Sequence, residues 1–296
     1  MTKWKPLDPK TRCIRKCKHS DYDSVCELSK SIWEGQDYLP LVFHEWVDDN
    51  GLFLCIEDTK NNCIIATDKY TILPDRAGLL EGLRVHKEYR GQSLSWHIGK
   101  AAFEKALQDK QDGTIHRIVN CTHITNKASI HMSTSIGFTL QQKYVVVETS
   151  KKETPVQFTA QKWDPTFEEF LSMPYFKHTN GYIAQHFLVQ KVTPDLFETL
   201  QKSAHFFILN GSPGFYDHSH GWYNVALDPT PKSILDWLHF ANEQPQVTDC
   251  YSFVHPDPST LKELQNQNAS TWMEFEPDLL YYVYESDIAP TVLTNN

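Results

Sequence analysis

No stretch of this 296-residue chain approaches the roughly 18 consecutive apolar residues that a membrane-spanning helix needs. A membrane partner is therefore not expected. Nor is there an excess of positive charge: 28 Lys and Arg stand against 37 Asp and Glu, a formal net charge of −9. Nucleic acid and anionic membrane both demand a concentrated basic face, so neither is expected as the main partner. A small-molecule amine or amino-acid substrate is compatible with this charge. The seven cysteines, at 13, 17, 26, 55, 63, 121 and 250, form an odd set without a disulfide-like framework. No apolar run follows the charges of Met1-Thr2-Lys3-Trp4-Lys5-Pro6, so no secretory signal is expected there. The reading is a reduced, cytoplasmic protein. Metal ligands are sparse as well. Cys13-x-x-x-Cys17 has no partner ligands, and His218-Ser219-His220 lies in a loop-like stretch without a third; no metal is expected.

What is present suits a folded α/β protein. Hydrophobic residues at 40% and aromatics at 12% are enough for a large core, and the length suggests two domains, 1–150 and 151–296. Strand patterns cover 11–17, 52–57, 63–73, 78–85, 116–124 and 142–148, with Asp58–Asn62 as the turn of a hairpin. Ser20-Asp21 are placed to cap a helix running to about Ile32. Leu94, Ile98, Ala102 and Ala106 recur every four residues, the buried stripe of a second helix, and 127–136 reads as a third. The charged run Thr149–Thr154 before Pro155 marks the domain boundary. Beyond it, helices are expected at 194–203 and 231–242 and strands at 183–190 and 279–284, without repeats or low-complexity tracts.

One segment carries chemistry. The apolar strand ending Leu83-Arg84-Val85 runs into a short turn with Arg90-Gly91, and the turn runs into the helix that starts near Leu94. Unpaired backbone N–H groups and the helix dipole converge on such a turn and make a cradle for phosphate. The strand beside it can meet an extended ligand with its own backbone groups. A long, phosphate-bearing, partly extended ligand fits both.

Arg90-Gly91-Gln92-Ser93-Leu94-Ser95, together with Asn126-x-x-Ser129 and the closing Gly137-Phe138, resembles the acetyl-coenzyme A site of the GNAT N-acetyltransferase superfamily. The resemblance implies a mixed, mostly antiparallel sheet flanked by helices, with acetyl-CoA as the acetyl donor. Both later glycines of the family's phosphate loop are serine here, Ser93 and Ser95. Residues 31–40, Ser31-Ile32-Trp33-Glu34-Gly35-Gln36-Asp37-Tyr38-Leu39-Pro40, with Trp46 and Glu81-Gly82-Leu83-Arg84-Val85, are similar to the histidine N-acetyltransferases of fishes. That likeness covers 11–148 and implies acetylation of the α-amino group of a free amino acid. The second half matches in outline only, as a further α/β domain of which a degenerate GNAT copy is one form.

The resemblance also implies roles. Glu81 is placed to take the amine proton; its alternative is a structural carboxylate paired to Arg84 or to backbone. The backbone of Leu83, Arg84 and Val85 would meet pantetheine, with the Val85 N–H polarising the carbonyl. The N–H groups of Arg90, Gly91, Gln92, Ser93, Leu94 and Ser95 would hold the pyrophosphate, and a serine N–H serves as well as a glycine N–H. What serine loses is tolerance for positive φ. Asn126 and Ser129 complete the cofactor set, with Asn126 equally suited to cap a helix. Ser133 stands where the family often has a tyrosine to protonate the leaving thiolate, so the leaving-group acid is unassigned. Asp37 and Tyr38 are candidate substrate-binding residues on a loop over the acceptor site, or simply loop structure. Arg84 could take a substrate carboxylate, although regular strand alternation would put it on the face opposite Glu81. A lysine or N-terminal peptide acetyltransferase and a non-catalytic acetyl-CoA-binding protein are the other two readings.

Overall fold

The computed structural model describes residues 5–286, apart from 33–34, 36, 150–156, 186–187, 218–221, 245–249, 255–256, 268 and 272–279. Trp33, Glu34 and Gln36 of the upstream motif, the Pro155 boundary and the His218-Ser219-His220 motif lie outside the described residues. The chain divides into two compact units. The first comprises the described residues up to Asn120 together with Met132–Phe138 and the last described residues from Glu285; the second comprises Cys121–His131 and Thr139–Tyr284.

In the first unit β1 (Arg12–Lys16) is followed by α1 (Tyr22–Ser29), α2 (Leu39–Asp48), β2 (Leu52–Asp58), β3 (Cys63–Ile72), β4 (Ala77–Val85), α3 (Leu94–Gln111) and β5 (Arg117–His123), whose first four residues belong to it. α4 (Lys127–Ser135) contributes its last residues. The strands β1 to β4 pair antiparallel in chain order, and β5 joins β4 in parallel after the α3 crossover. Val25, Leu28, Leu39, Phe43 and Trp46 from α1 and α2 pack with Phe53, Cys55 and Ile64 of the sheet. The alternate residues Leu54 and Ile56 are buried as well, so both sheet faces are covered. The predicted stripe on α3 is real: Leu94, Ile98, Ala102 and Ala106 are all buried. The hairpin turn after β2 is closed by Asp58, whose carboxylate accepts the N–H groups of Lys60 and Asn61 at 3.0 and 3.2 Å.

Two local expectations are corrected. Asp21 stands at the N-cap position of α1 but makes no side-chain capping bond; its carboxylate accepts two bonds from the Arg15 guanidinium at 2.7 and 2.9 Å and one from the Lys18 N–H, and α1 ends at Ser29 rather than near Ile32. Tyr38-Leu39-Pro40 is not loop but the start of α2, with Tyr38 at the cap and Pro40 in the first turn. Proline fits there because the first N–H groups of a helix have no intrahelical partner.

The second unit contains β6 (Thr139–Thr149), β7 (Ala160–Lys162), α5 (Phe167–Leu171), α6 (Pro174–Thr179), β8 (Tyr182–Gln185), β9 (Leu188–Lys191) and α7 (Pro194–Ser203). β10 (His205–Leu209), β11 (Ser212–Asp217), β12 (Trp222–Ala226), α8 (Pro231–Asn242), β13 (Cys250–Val254), α9 (Pro258–Asn266), β14 (Ala269–Thr271) and β15 (Leu280–Ser286) follow. The strand expected over 183–190 is a hairpin, β8 and β9. Three helices start on the same local signal, a side-chain cap followed by proline: Thr193-Pro194, Thr230-Pro231 and Asp257-Pro258. The core is aromatic, with Phe170 against Phe176, Phe197, Phe206 and Phe215. β7, β10, β11 and β12 pair antiparallel in that order, and β13 lies parallel to β12 after the α8 crossover. That is the connectivity of β2-β3-β4-α3-β5 over again, so the second half is built on the same plan as the first.

A bulge in β4 sets up everything that follows. The β3–β4 register passes from Lys69↔Glu81 to Thr67↔Arg84, so Gly82 and Leu83 together face Asp68 alone. Gly82 takes φ +69°, and a Cβ there would sit 2.6 Å from the Trp46 ring. Both facts require glycine. Gly82→Ala is expected to lower stability by about 2–3 kcal/mol, from the positive φ and the ring clash together. The check is a urea unfolding curve; an unchanged midpoint would count against the bulge geometry.

Candidate active site

β4 and β5 part company in mid-strand. Their parallel register runs from Ala77↔Arg117 to Leu80↔Asn120 and stops, while β4 continues to Val85 with β3 along its other edge. Asn120 sits at the point of the fork, its amide N–H donating to the Leu80 carbonyl at 2.9 Å and its oxygen accepting from the Ser133 hydroxyl at 3.3 Å. Ser133 is buried and committed to that bond. The backbone of Glu81–Val85 on the fork side is the edge along which an extended ligand can lie.

The bulge decides which side chains share a face. One extra residue between Glu81 and Arg84 resets the alternation, so Arg84 lies opposite Thr67 and Glu81 opposite Lys69, both on one face of β3. Regular alternation placed Arg84 on the other side; the inserted residue reverses that expectation. Arg84 Nε and Nη2 then grip Asp37 at 3.1 and 3.0 Å, both side chains almost fully buried. The guanidinium carbon also stands 5.3 Å from the Tyr38 ring centroid, and Tyr38 meets Trp46 edge-on. Asp37 accepts the Leu39 N–H as well, so its carboxylate anchors Arg84 and the start of α2.

Glu81 is treated differently. Its Oε1 accepts from the Thr71 hydroxyl at 2.6 Å, and among the described residues it forms no ion pair. The neighbouring cations are already neutralised: the fully buried Lys69 ammonium binds Asp49 at 2.6 Å, and Arg84 binds Asp37. Burial pushes the Glu81 carboxyl up to about 7 against the opposing Thr71 bond and the fields of Lys69 and Arg84. Asp68, across from the bulge, is also raised well above the carboxylate range by burial, its Oδ1 accepting the Lys69 N–H at 3.1 Å.

After Val85 comes the turn. Arg90 is exposed and donates from Nε to the Val85 carbonyl at 3.3 Å. Gly91 takes φ +74° and Ser93 φ +64°, the left-handed region that serine occupies at a cost. Ser93 is the N-cap of α3 but makes no side-chain capping bond, which leaves the first-turn N–H groups available to an anion. Its hydroxyl instead accepts the Lys5 N–H at 3.2 Å, and Gln92 accepts from Arg12. Leu94 is buried as the first residue of α3, with Ser95 behind it. Asn126 and Ser129 fall in the second unit, where the Asn126 oxygen accepts the Ser129 N–H at 3.2 Å at the start of α4.

The structure thus joins Glu81, Arg84, Asp37 and Tyr38 on one face of the first unit and puts the turn Arg90–Ser95 at the end of the same strand. Sequence reasoning did not find Asn120, Lys69, Asp49, Thr71 or Asp68. A signal existed for some of them: an Asn inside the apolar strand Ile118-Val119-Asn120, and an Asp68-Lys69 pair inside Ile64–Ile72, are costly unless partnered. A potential metal cluster, Cys17, Asp21 and Cys55, brings its ligand atoms within 4.8 Å of one another, but Asp21 is held by Arg15 and the Lys18 N–H.

Comparison with known proteins agrees with this geometry. A histidine N-acetyltransferase from Oreochromis niloticus is 30% identical over 76 residues, which span 25% of this chain and 22% of the relative. The chain therefore matches about a fifth of that protein's length. A GCN5-related N-acetyltransferase from Sphaerobacter thermophilus shares the fold over 94% of this chain and 96% of its own, with a TM-score of 0.62 at 10% identity. A candidate acetyltransferase from Pyrococcus horikoshii does so over 97% and 93%, with a TM-score of 0.60 at 11% identity. The model of the acetyltransferase (GNAT) family matches residues 22–138, from α1 through the fork to Phe138. Those residues form a GNAT-family acetyltransferase domain.

Proposed function

We propose that this protein is an acetyl-CoA-dependent N-acetyltransferase that acts on the α-amino group of a free amino acid, with L-histidine as the leading substrate. The observation that carries the reading is the Glu81 carboxyl, raised to about 7, on the bulged strand beside the open edge of β4. An α-ammonium has a pKa of about 8, so a base titrating near 7 is matched to it. The histidine preference is supported by the partial likeness to the Oreochromis niloticus enzyme.

The residues present fit acetyl-CoA. The uncapped first turn of α3 and the left-handed backbone at Gly91 and Ser93 suit a diphosphate, and the unpaired edge of Glu81–Val85 suits a pantetheine arm. The thioester supplies an activated acyl carbon when bound. Glu81 in its ionised form takes the proton from the ammonium, leaving a neutral amine; Thr71 keeps the carboxylate oriented. Arg84, brought onto the Glu81 face by the bulge, is the candidate ligand for the substrate carboxylate, with Tyr38 and Trp46 beside it. Ser133 is spent on Asn120, so the leaving-group acid is unassigned. A domain boundary near residue 150 is part of this reading; β6, just before it, pairs with β13 and β14.

Three outcomes test this. Glu81→Gln should lower kcat about 100-fold at neutral pH with acetyl-CoA affinity unchanged, and should remove the rise in rate as pH passes through about 7. A pH–rate profile identical to wild type would eliminate Glu81 as the base. Stability runs the other way. The raised carboxyl stabilises the fold fully below its ordinary value of 4.5, and that contribution is lost as pH rises through about 7. Glu81→Gln should therefore flatten the fall in urea midpoint between pH 5 and 8.

Ser93→Gly should relieve the left-handed strain and stabilise the fold by about 0.5–1 kcal/mol, with acetyl-CoA affinity held or improved. A weaker affinity would mean that the serine hydroxyl itself holds phosphate. Thiol release from acetyl-CoA, measured against the twenty free amino acids and a lysine peptide, should give histidine as the strongest acceptor. Turnover confined to the peptide would overturn the substrate assignment.

A further inference from the structure

Away from the candidate active site, two exposed histidines of the first unit face each other. His19 lies in the single turn His19–Asp21 before α1, and His44 lies in α2. They are 25 positions apart in the chain, yet their Nδ1 atoms stand 2.9 Å from each other. Each ring is held by a partner of its own. His19 Nε2 meets the Asp48 Oδ1 at 2.7 Å, and His44 stacks on the Tyr22 ring with centroids 4.8 Å apart and planes 25° apart. His44 and Asp48 are one turn apart on α2, so a single helix face supplies one ring and the carboxylate that steadies the other. The side chains of His19 and Asp48 are 54% and 68% exposed, so solvent reaches the pair.

The placement of hydrogens follows from these partners. A carboxylate only accepts, so His19 Nε2 carries the hydrogen of the bond to Asp48. In the neutral ring, His19 Nδ1 is then the acceptor, and it is aimed at the Nδ1 of His44. One hydrogen on His44 Nδ1 joins the two rings when nothing else lies between them. A cation can take its place. Zn–N bonds of about 2.0–2.1 Å set two imidazole nitrogens roughly 2.9–3.4 Å apart around a shared ion, according to its geometry. The hydrogen displaced from His44 Nδ1 passes through solvent to His44 Nε2, which leaves both Nδ1 lone pairs for the ion. A metal-bound histidine characteristically gives its other N–H to a carboxylate, and Asp48 already receives that of His19. The C-terminal half of α2 adds the negative end of its dipole, which favours a positive charge. Nitrogen donors select Zn2+ and its neighbours, whereas Mg2+ and Ca2+ take oxygen ligands.

We infer that His19 and His44 form a binding site for a divalent transition-metal ion, with Asp48 orienting His19 and water completing the shell. The site uses no residue of the acetyl-transfer reading, so the two stand or fall separately.

Calorimetric titration of the full-length chain with ZnCl2, alone and in the presence of MgCl2, tests it. The chain has 14 histidines, so the quantity to read is the difference between variants. Wild type should take up one Zn2+ more than His44→Gln, and His19→Gln should lose the same equivalent. Asp48→Ala should retain that equivalent with affinity about tenfold lower. Zn2+ should raise the urea midpoint of wild type more than that of either glutamine variant, since an ion bound only by the folded chain stabilises it. Mg2+ at the same concentration should not displace it. Equal Zn2+ uptake by wild type and His44→Gln would leave a hydrogen-bonded pair only and overturn the proposal. Displacement by Mg2+, or unchanged affinity in Asp48→Ala, would overturn it as well.

Discussion

A single inserted residue at Gly82-Leu83 governs the arrangement of the first unit's site. Without it, β4 would present Glu81 and Arg84 on opposite faces, and each charge would have to be satisfied in a separate environment. With it, both lie on one face of β3, opposite Lys69 and Thr67. Arg84 can then reach back to Asp37 at the start of α2, and the Tyr38 ring stacks over the guanidinium. Gly82 is the residue that permits this, because its φ of +69° and the Trp46 ring 2.6 Å from a hypothetical Cβ leave room for nothing larger.

The same arrangement explains why Glu81 resists ionisation although two cations lie near it. Lys69 is fully buried, and its ammonium is matched by Asp49 at 2.6 Å; Arg84 is matched by Asp37. Burial outweighs the fields of Lys69 and Arg84 and the Thr71 bond, and the Asp49 carboxylate beside Lys69 pushes in the same direction as burial. Asp49 and Asp37 pair with Lys69 and Arg84, and Glu81 is left with the Thr71 hydroxyl.

Much of this fold was legible in the sequence because it rests on local periodicity. The stripe Leu94-Ile98-Ala102-Ala106 and helices 194–203 and 231–242 were set by spacing and by Thr-Pro starts. What could not be read from spacing was parity. A bulge leaves only a glycine inside a strand as its trace, and Glu81-Gly82-Leu83 carries that trace without saying which flanking residue changes face. Asp21 misled for a related reason: it does stand at the start of the helix, yet its carboxylate turns to the Arg15 guanidinium, which offers two bonds between opposite charges. The resemblance implied a loop at Asp37-Tyr38, where the chain instead starts α2 with Tyr38 at the cap and Pro40 in the first turn. Asn120 stood out only as a polar residue in an apolar strand; its position at the fork could not be read, because the separation of β4 and β5 is a property of two strands and not of one.

The two units share one connectivity and differ at one turn. Antiparallel strands, a crossover helix and a parallel strand occur in both, and in both the parallel register gives out before the strands end, after Leu80↔Asn120 and after Asn224↔Ser252. A gap between two such strands follows from the topology, since each is held from its outer side. The turn that enters the crossover helix is where the units differ. Gly91 and Ser93 in left-handed conformations leave the α3 N-terminus open, while Thr230-Pro231 seals that of α8. An open N-terminus selects for phosphate and a sealed one against it. The fold supplies the gap, and a few residues of the connection determine whether the helix N–H groups beside it are left open or closed off.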